Sequence, residues 1–252
     1  MNQAARGRTW AYSLFRLLWT GLDWLFPPLC GGCGRLGARW CSDCQRRVSP
    51  ILGLLCESCG LPADGPARCP ACTLEPPEFS ALRAWAVLQD PVQEALHKLK
   101  YRRDIGLGDA LAAQLSGFVR ELGWPVGAVV PVPLSTRRFG ERGYNQVALI
   151  AFPLALALGL EYCPSALVRH AETRSQVGLN RQERRENVRG AFKGVGRLAR
   201  GKSFLLVDDV ATTGSTLSAA ACALSAAGAQ AVYALTVARA LPRKTKVAKE
   251  AP

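Results

Sequence analysis

FLLVDDVATTGST, from Phe204 to Thr216, is the most informative stretch of this 252-residue sequence. Its first four residues, Phe204 to Val207, are large and apolar, which predicts a short buried strand. Asp208 and Asp209 follow directly, and a Thr/Gly/Ser loop then leads into the Ala-rich segment Ser215 to Ala227, which predicts a helix. The stretch is therefore predicted to be a strand–loop–helix unit with two adjacent carboxylates where the strand ends.

The polar residues of this unit suit a ribose 5-phosphate ligand. Backbone N–H groups at the start of a helix carry partial positive charge and lack partners within the helix, so they bind an anionic phosphate. Thr and Ser hydroxyls add donors, and Gly214 lets the backbone approach the ligand closely. The two carboxylates can accept hydrogen bonds from the neighbouring 2′ and 3′ hydroxyls of a ribose. The alternative is an acidic cap on an ordinary βα unit, which accounts for one acid and one hydroxyl but not for the whole run.

Strand-like and helix-like patterns alternate along most of the remaining sequence, from about residue 79 to residue 239. This alternation predicts an α/β domain with a mostly parallel, Rossmann-like sheet, whose ligands bind beyond the carboxyl ends of the strands. The predicted strands are 83–88, 128–132, 163–168, 204–207 and 231–237, and the predicted helices are one with Asp90 as N-cap and Pro91 in its first position, 107–121, 144–158 and 215–227. The predicted divisions are a leading amphipathic helix (1–28), a cysteine-rich module (29–78), the α/β domain (79–240) and a basic disordered tail (241–252).

A second motif, GRLARGKS from Gly196 to Ser203, fits the Walker A pattern letter for letter. A P-loop follows a strand and precedes a helix. Here the apolar residues Phe204 to Val207 come immediately after the motif, so the predicted strand is on the wrong side. The context argues against a nucleoside triphosphate-binding loop.

Eight of the ten cysteines form four Cys-x-x-Cys pairs, which is the spacing of metal ligands rather than of a disulfide framework. Two pairs together supply four thiolates, enough for a closed tetrahedral structural zinc site, so we predict two zinc ions in a double zinc ribbon. Sequential pairing closes the shorter loops; an interleaved arrangement, in which the first and third pairs share a metal, stays open, as does redox chemistry at one pair. The predicted ligands are Cys30, Cys33, Cys41, Cys44, Cys56, Cys59, Cys69 and Cys72.

The formal net charge of +13 predicts affinity for polyanions, either phosphorylated metabolites or nucleic acid. Much of the excess lies between Arg169 and Lys202, where ten basic residues face three acidic ones. No apolar run reaches the roughly 18 residues that a membrane span needs. The leading helix is expected to pack on the rest of the protein, and the alternative is that it binds a membrane surface. Because the cysteines have the spacing of metal ligands and not of disulfides, we predict a reducing, cytoplasmic location.

The strand–loop–helix unit resembles the motif by which type I phosphoribosyltransferases bind 5-phosphoribosyl 1-pyrophosphate (PRPP). Several further stretches resemble one branch of that superfamily, the ComF (GntX-like) competence-associated proteins, and together they cover most of the chain. These stretches are Leu25-Phe26-Pro27, the cysteine module, Leu99-Lys100-Tyr101, Val130-Pro131-Val132-Pro133-Leu134, Arg142-Gly143-Tyr144-Asn145-Gln146, Thr173-Arg174-Ser175-Gln176, Arg184, Asn187 and Ala191-Phe192.

The resemblance implies a role for each part of the site. It places a pyrophosphate loop at Pro133 to Arg138 and a mobile loop at Arg169 to Asn187, with Mg²⁺ bound mainly through the substrate. The catalytic residues it implies are Asp208, Asp209, Arg137 and Arg138. The PRPP-binding residues it implies are Asp208, Asp209, Ala211, Thr212, Thr213, Gly214, Ser215, Thr216, Arg142 and Arg174.

Two functions are compatible with these patterns. The first is phosphoribosyl transfer from PRPP to an acceptor that the sequence does not identify, with release of pyrophosphate and a link to DNA uptake. The second is binding of single-stranded DNA by the zinc ribbons and the basic Arg169 to Lys202 surface, with the PRPP site regulatory or vestigial. If the protein binds DNA, its affinity for DNA should fall steeply as the salt concentration rises. If it binds PRPP, its affinity for PRPP should depend on Asp208, Asp209 and Mg²⁺.

Overall fold

The structure is a computed structural model, and it describes residues 12–15, 17, 21, 23, 27–63, 68–170 and 190–241. Two short helices belong to the cysteine-rich region, and strands then alternate with helices. In chain order the elements are α1 (Ser42–Arg46), α2 (Pro70–Leu74), β1 (Ala81–Val87), α3 (Val92–Tyr101), α4 (Leu107–Leu122), β2 (Ala128–Pro131), α5 (Thr136–Arg142), α6 (Gln146–Leu158), β3 (Glu161–Tyr162), a 3₁₀ turn (Pro164–Ala166), β4 (Leu167–Arg169), β5 (Phe192–Gly194), α7 (Gly196–Ala199), β6 (Ser203–Ala211), α8 (Ser215–Ala226) and β7 (Ala231–Arg239).

Five strands form one parallel sheet in the order β1-β7-β6-β2-β3. β6 lies at its centre, paired with β7 on one side and β2 on the other. β4 and β5 form a separate antiparallel pair at the two ends of the segment that the sequence predicts as a mobile loop. The predicted α/β class with a parallel sheet is confirmed.

The centre of the sheet is buried on both faces, as a strand without polar alternation requires. Leu205 and Val207 of β6 face a core formed with α3, α4 and α6, whereas Phe204 and Leu206 face a second core formed with α8. All four of these side chains are completely buried. β6 is thereby fixed in depth and direction, which positions the loop that follows it.

The largest difference from the predicted boundaries is the length of β6. The sequence predicts that the strand ends before Asp208, but the ladder continues to Ala211. The neighbouring strand β7 is long enough to pair with this extension, Asp208 opposite Thr236 and Ala211 opposite Arg239. Both carboxylates therefore belong to the carboxyl-terminal part of β6 and not to the loop that follows it.

Three smaller predictions need correction. α3 begins at Val92 with Pro91 at the N-cap position and no side-chain cap, so Asp90 is not the cap. The predicted strand 163–168 is mostly a 3₁₀ turn between β3 and β4, since Pro164 removes a strand N–H. α5 was not predicted, and α6 begins at Gln146 rather than residue 144.

The Walker A-like segment lies in α7 and the turn before β6, and its last residue, Ser203, is the first residue of β6. The ammonium group of Lys202 is 2.7 Å from the Glu161 carboxylate. The strand β6 therefore follows the motif directly, as the sequence predicts. Within the described residues, no helix is both long enough and apolar enough to cross a membrane.

Candidate functional site

The eight Cys-x-x-Cys thiols form two separate four-sulfur clusters. The sulfur atoms of each cluster all lie within 4.8 Å of one another, and pairing is sequential, Cys30 to Cys44 and Cys56 to Cys72. The Sγ–Sγ distances of Cys30–Cys44, Cys33–Cys41 and Cys59–Cys69 are 3.6, 3.7 and 3.8 Å. A tetrahedral zinc with Zn–S bonds of about 2.3 Å requires edges of about 3.8 Å, so the thiols fit zinc closely.

Backbone N–H groups help to stabilise thiolates in both clusters. Cys30 Sγ accepts from the N–H of Cys41 at 3.4 Å, and Cys56 Sγ accepts from the N–H of Cys69 at 3.3 Å. Burial by itself raises the pKa of Cys30 and Cys56, but several backbone N–H donors, those of Cys33 and Cys59 first, outweigh it and the pKa of each falls to about 6. The four thiols of each cluster can therefore hold a metal with no open coordination position, as structural zinc requires.

A second site, a cleft of about 120 Å³, opens at the carboxyl ends of β2 and β6. This is the position at which parallel α/β sheets bind their ligands. Its lining combines carboxylates with cations. The lining residues are Lys100, Val132, Pro133, Leu134, Arg138, Arg142, Gln146, Arg169, Asp208, Asp209, Val210 and Thr216.

Asp209 is held in place by groups from two helices. Its Oδ2 lies 2.8 Å from Nζ of Lys100 on α3 and accepts from Nε2 of Gln146 on α6 at 2.9 Å. Gln146 in turn accepts from Nη1 of Arg142 at 2.7 Å through Oε1. Burial opposes ionisation of Asp209, but the Lys100 charge and the hydrogen bonds from Lys100 and Gln146 lower its pKa. Asp209 is therefore a fixed carboxylate.

Asp208 differs from its neighbour although the two are adjacent. Its Oδ1 accepts from the backbone N–H of Asp209 at 2.8 Å. Burial in the cleft and, second, the nearby Asp209 charge raise the pKa of Asp208 to about 8. The cleft thus holds one carboxylate whose pKa is lowered and one whose pKa is raised to about 8, a pairing typical of functional sites.

The loop after β6 is organised around hydroxyl groups. Oγ of Ser215 is 2.7 Å from Oγ1 of Thr213, and the N–H of Ser215 also donates to Thr213 Oγ1. Gly214 has a φ of +83° and occupies the N-cap position of α8 without a side-chain cap. Thr216 reaches the cleft, Thr212 is exposed, and Ala211 is buried at the end of β6.

The structure places some of the predicted arginines at the cleft and others away from it. Arg138 and Arg142 line the cleft from α5, where Ser135 caps the helix by accepting from the N–H of Arg138. Arg137 points to solvent and forms an ion pair of 2.9 Å with Glu141. Arg174 lies outside the described residues, as does most of the predicted mobile loop.

Two cleft residues, Lys100 and Gln146, were not among the predicted site residues. Both belong to stretches that carry the family resemblance, Leu99-Lys100-Tyr101 and Arg142 to Gln146. That resemblance was the available signal. A lysine near the end of a helix carries no sign, in local sequence, of an ion pair with a residue on the central strand.

Comparison with protein families matches two separate parts of the chain. A model of the double zinc ribbon domain matches residues 21–73, and a model of the phosphoribosyl transferase domain matches residues 146–251. These define a phosphoribosyltransferase-domain protein that carries an N-terminal double zinc ribbon. The predicted double zinc ribbon and the predicted phosphoribosyltransferase-type fold are confirmed, and of the two cysteine pairings that the sequence left open the structure has the sequential one.

Relatives along nearly the whole chain narrow this class. A DNA utilization protein, YhgH, of Salmonella typhi is 35% identical in an alignment of 225 positions that covers 85% of this chain and 98% of the relative. Competence protein F of Haemophilus influenzae is 30% identical, over 79% of this chain and 90% of its own. The chain belongs to the ComF family, which includes these two proteins. Among solved structures, a glutamine PRPP amidotransferase from B. subtilis is similar at 22% identity and a TM-score of 0.36, over 56% of this chain and 26% of its own.

Proposed function

We propose that the chain binds PRPP in the cleft and transfers its phosphoribosyl group to an acceptor, with release of pyrophosphate. The observation that carries the proposal is the convergence of Asp208, Asp209, Arg138 and Arg142 on one cleft, at the start of an N–H-rich loop. A capping acid on an ordinary βα unit would need none of the surrounding cations.

Each part of PRPP has a matching part of the cleft. Asp208 and Asp209 accept hydrogen bonds from the ribose hydroxyls, and the loop from Ala211 to Thr216 holds the 5′-phosphate. Arg138 and Arg142 meet the pyrophosphate, with Arg137 next to them on α5 and Arg174 as a further contributor from the predicted mobile loop. The backbone donors and the cations are then in position before negative charge develops on the departing pyrophosphate. Such positioning is the main requirement for catalysis of phosphoribosyl transfer.

Mg²⁺ fits the cleft because its described lining offers two carboxylates, and oxygen is the donor that this ion prefers. Bound with PRPP and held mainly by the substrate, with Asp208 as the protein ligand, it would neutralise charge on the pyrophosphate. In the transfer, the bond from C1 of the ribose to pyrophosphate breaks and its electron pair leaves with pyrophosphate. A nucleophilic atom of the acceptor then forms the bond to C1 and loses its proton. Arg138 and Arg142 stabilise the departing charge.

The direct test is calorimetric titration of the zinc-loaded protein with PRPP and Mg²⁺. The variant Asp208→Ala/Asp209→Ala should lose at least about 100-fold in affinity, because both ribose acceptors are removed. Glu161→Ala is the matched control, since this exposed carboxylate lies on the same sheet and pairs with Lys202 away from the cleft. No PRPP binding by the wild type, or equal binding by the double variant, would overturn the proposal.

The raised pKa of Asp208 makes PRPP affinity depend on pH. Below about pH 8 the carboxyl group of Asp208 is protonated in the free protein. The carboxylates can accept hydrogen bonds from both ribose hydroxyls only after this proton has left. Affinity should rise by up to about tenfold per pH unit between pH 7 and 8 and then level off. Asp208→Asn should bind more weakly and show a flat profile over this range. A wild-type profile as flat as that of the variant would contradict the assignment of the titrating group.

The same shift has a consequence for stability, with opposite sign. An acid whose pKa is raised by folding makes the folded state less stable as pH rises from about 4 to its folded pKa. Asp208→Asn should therefore raise the melting temperature of the unliganded protein at pH 8.5 and leave it nearly unchanged at pH 5. An Asn variant that loses stability at both pH values would indicate a structural role instead.

A second candidate function, binding of single-stranded DNA, is supported by a face beside the cleft. Tyr101 and Phe139 are 62% and 52% exposed. The guanidinium of Arg142 lies 5.1 Å from the ring centre of Tyr101. This contact joins the end of α3 to α5. Phe139 lies one helical turn from Arg142 on α5. Exposed aromatics interleaved with arginines are typical of single-strand binding. The basic residues here are Arg102, Arg103, Arg137, Arg138 and Arg142.

Oligodeoxythymidine binding, measured by fluorescence anisotropy over a salt series, tests this second function. Tyr101→Ala/Phe139→Ala should weaken binding by at least about tenfold because two stacking platforms are lost, whereas exposed Leu74→Ala should not change it. The Asp208→Ala/Asp209→Ala variant should bind DNA as the wild type does. Affinity that is independent of salt, or unchanged in the aromatic variant, would rule out this face.

A further inference from the structure

A buried arginine lies directly behind the 5′-phosphate loop. Arg239 is the last residue of β7 and pairs in parallel register with Ala211, the last residue of β6. The N–H of Ala240 donates to the carbonyl of Ala211 at 3.0 Å, so the two strand ends are joined. Arg239 is only 1% exposed, and it is the largest side chain that is fully buried among the described residues.

The guanidinium faces the loop at Gly214. A Cβ atom placed on Gly214 would lie 3.9 Å from Nη1 of Arg239, beside the side chains of Leu82 and Phe79 at 3.7 and 3.8 Å. The underside of the loop therefore contacts two apolar groups and one cation. The loop's upper side is continuous with the cleft through Thr216.

A buried cation in this position acts on an anion in the loop. The attraction between a buried charge and a nearby opposite charge is stronger than in water, because little solvent screens it. The amino end of α8, a 12-residue helix, adds partial positive charge on the same side of the loop. A dianionic phosphate in the loop would be attracted by both.

We propose that Arg239 is a positioning residue for the 5′-phosphate: it supports Gly214 from below and supplies a buried positive charge that increases the affinity of the loop for a phosphate dianion. This inference rests on the proposed function, since it assumes that the loop binds the 5′-phosphate of PRPP. It adds a charge that the strand–loop–helix motif does not include, 23 residues beyond the end of that motif.

The test compares ribose 5-phosphate, which contacts the loop, with pyrophosphate, which would bind near Arg138 and Arg142. Arg239→Met should weaken ribose 5-phosphate and PRPP binding roughly 10- to 100-fold and leave pyrophosphate binding within about twofold. The loss should persist at about 0.5 M salt, because a buried charge is screened little. Val237→Ala, at a fully buried position of the same strand, is the control: it lowers stability without removing charge.

Two further variants keep the test decisive if Arg239→Met does not fold. Arg239→Lys retains the charge, and Arg239→Gln retains donors without charge, so ribose 5-phosphate should bind more tightly to the Lys variant. Equal binding by both, or by wild type and the Met variant, would overturn the role of Arg239 while leaving PRPP binding intact. If the wild type binds neither ribose 5-phosphate nor PRPP, the proposed function fails, and this role with it.

Discussion

The two zinc clusters have the same ligands and nearly the same spacing, but they contact the α/β domain through different kinds of atoms. The first cluster, Cys30 to Cys44, packs on helices mainly through side chains. The second, Cys56 to Cys72, packs on an edge strand mainly through backbone groups. The comparison teaches that two similar metal modules can be attached to one domain by side chains, which can shift, or by backbone groups of a sheet, which cannot.

The first cluster rests on α3 and α4. Nζ of Lys98 donates to the carbonyl of Cys30 at 3.3 Å, two residues before the Lys100 that pairs with Asp209. Gly31 lies so close to Leu107 that an added Cβ would be 2.5 Å from that side chain. These partners are flexible side chains, which can shift. One ligand of this cluster, Cys33, is also exposed.

The second cluster covers the open edge of β1. The N–H of Leu82 donates to the carbonyl of Ser58 at 2.7 Å, and an added Cβ on Gly60 would clash with the Leu82 carbonyl oxygen. Nη1 of Arg83 donates to the carbonyls of Cys56 and Glu57 at 3.3 and 3.1 Å. An edge strand left uncovered exposes unpaired N–H and C=O groups and favours aggregation. A zinc ion bound at the second cluster would therefore stabilise the sheet edge as well as its own ribbon.

Loss of one zinc should give the largest difference between the two regions. Cys44→Ser and Cys72→Ser should each reduce the zinc content from two ions to one and lower the free energy of unfolding by several kcal/mol, roughly 3 or more. The Cys72 variant should lose more and aggregate sooner, because its loss uncovers β1. Metal analysis and urea unfolding measure both effects.

Cys222→Ser is the control for these variants, since Cys222 is exposed and belongs to neither cluster. It should retain both metal ions and full stability. Equal losses in the Cys44 and Cys72 variants would show that the way each cluster is attached does not matter.

Much of this arrangement is local and could be predicted from the sequence. The apolar run from Phe204 to Val207 is continuous because both faces of β6 are buried, and Cys-x-x-Cys spacing reflects the geometry of a tetrahedral metal. Such patterns place all their information within a few residues. The strand–loop–helix unit and the two four-cysteine zinc sites were predicted for this reason, whereas the choice between sequential and interleaved pairing was not.

The remaining features depend on contacts between distant segments. Asp209 is 109 residues from Lys100 and 63 from Gln146, and only the folded sheet brings them together. The extension of β6 to Ala211 depends on the length of β7. The burial of Arg239 depends on the loop at Gly214, which follows a different strand. Nothing in Gly60 or Arg83 alone indicates that the second ribbon covers β1. Packing sets these features.

A pair of equivalent glycines isolates the contact with β1. Gly34 and Gly60 each follow the second cysteine of a cluster, with φ angles of +75° and +67°, but only Gly60 abuts another segment. Gly34→Ala should cost about 1–2 kcal/mol from the left-handed backbone alone. Gly60→Ala should cost at least about 2 kcal/mol more, because the Leu82 carbonyl cannot move without breaking the sheet. Equal losses of unfolding free energy would contradict the rigid attachment.

The smallest expected effect concerns the two side chains that link the clusters to the domain. Arg83→Met removes a half-buried donor to several carbonyls and should cost about 1–3 kcal/mol. Lys98→Met removes one longer hydrogen bond, from a side chain that also faces Glu94 at 3.7 Å, and should cost less, about 0.5–1 kcal/mol. Arg68→Met, which breaks only an exposed ion pair with Glu57, should be nearly neutral.

The two link variants should also differ in their effect on the cleft. Lys98 and Lys100 share α3, so release of the first cluster should loosen the Lys100–Asp209 pair and weaken PRPP binding by about two- to fivefold. Arg83→Met should leave that affinity unchanged while it lowers stability, because β1 contributes no residue to the described cleft lining. The reverse pattern, with PRPP affinity sensitive to Arg83 and not to Lys98, would mean that the second cluster and not the first supports the ribose end of the site.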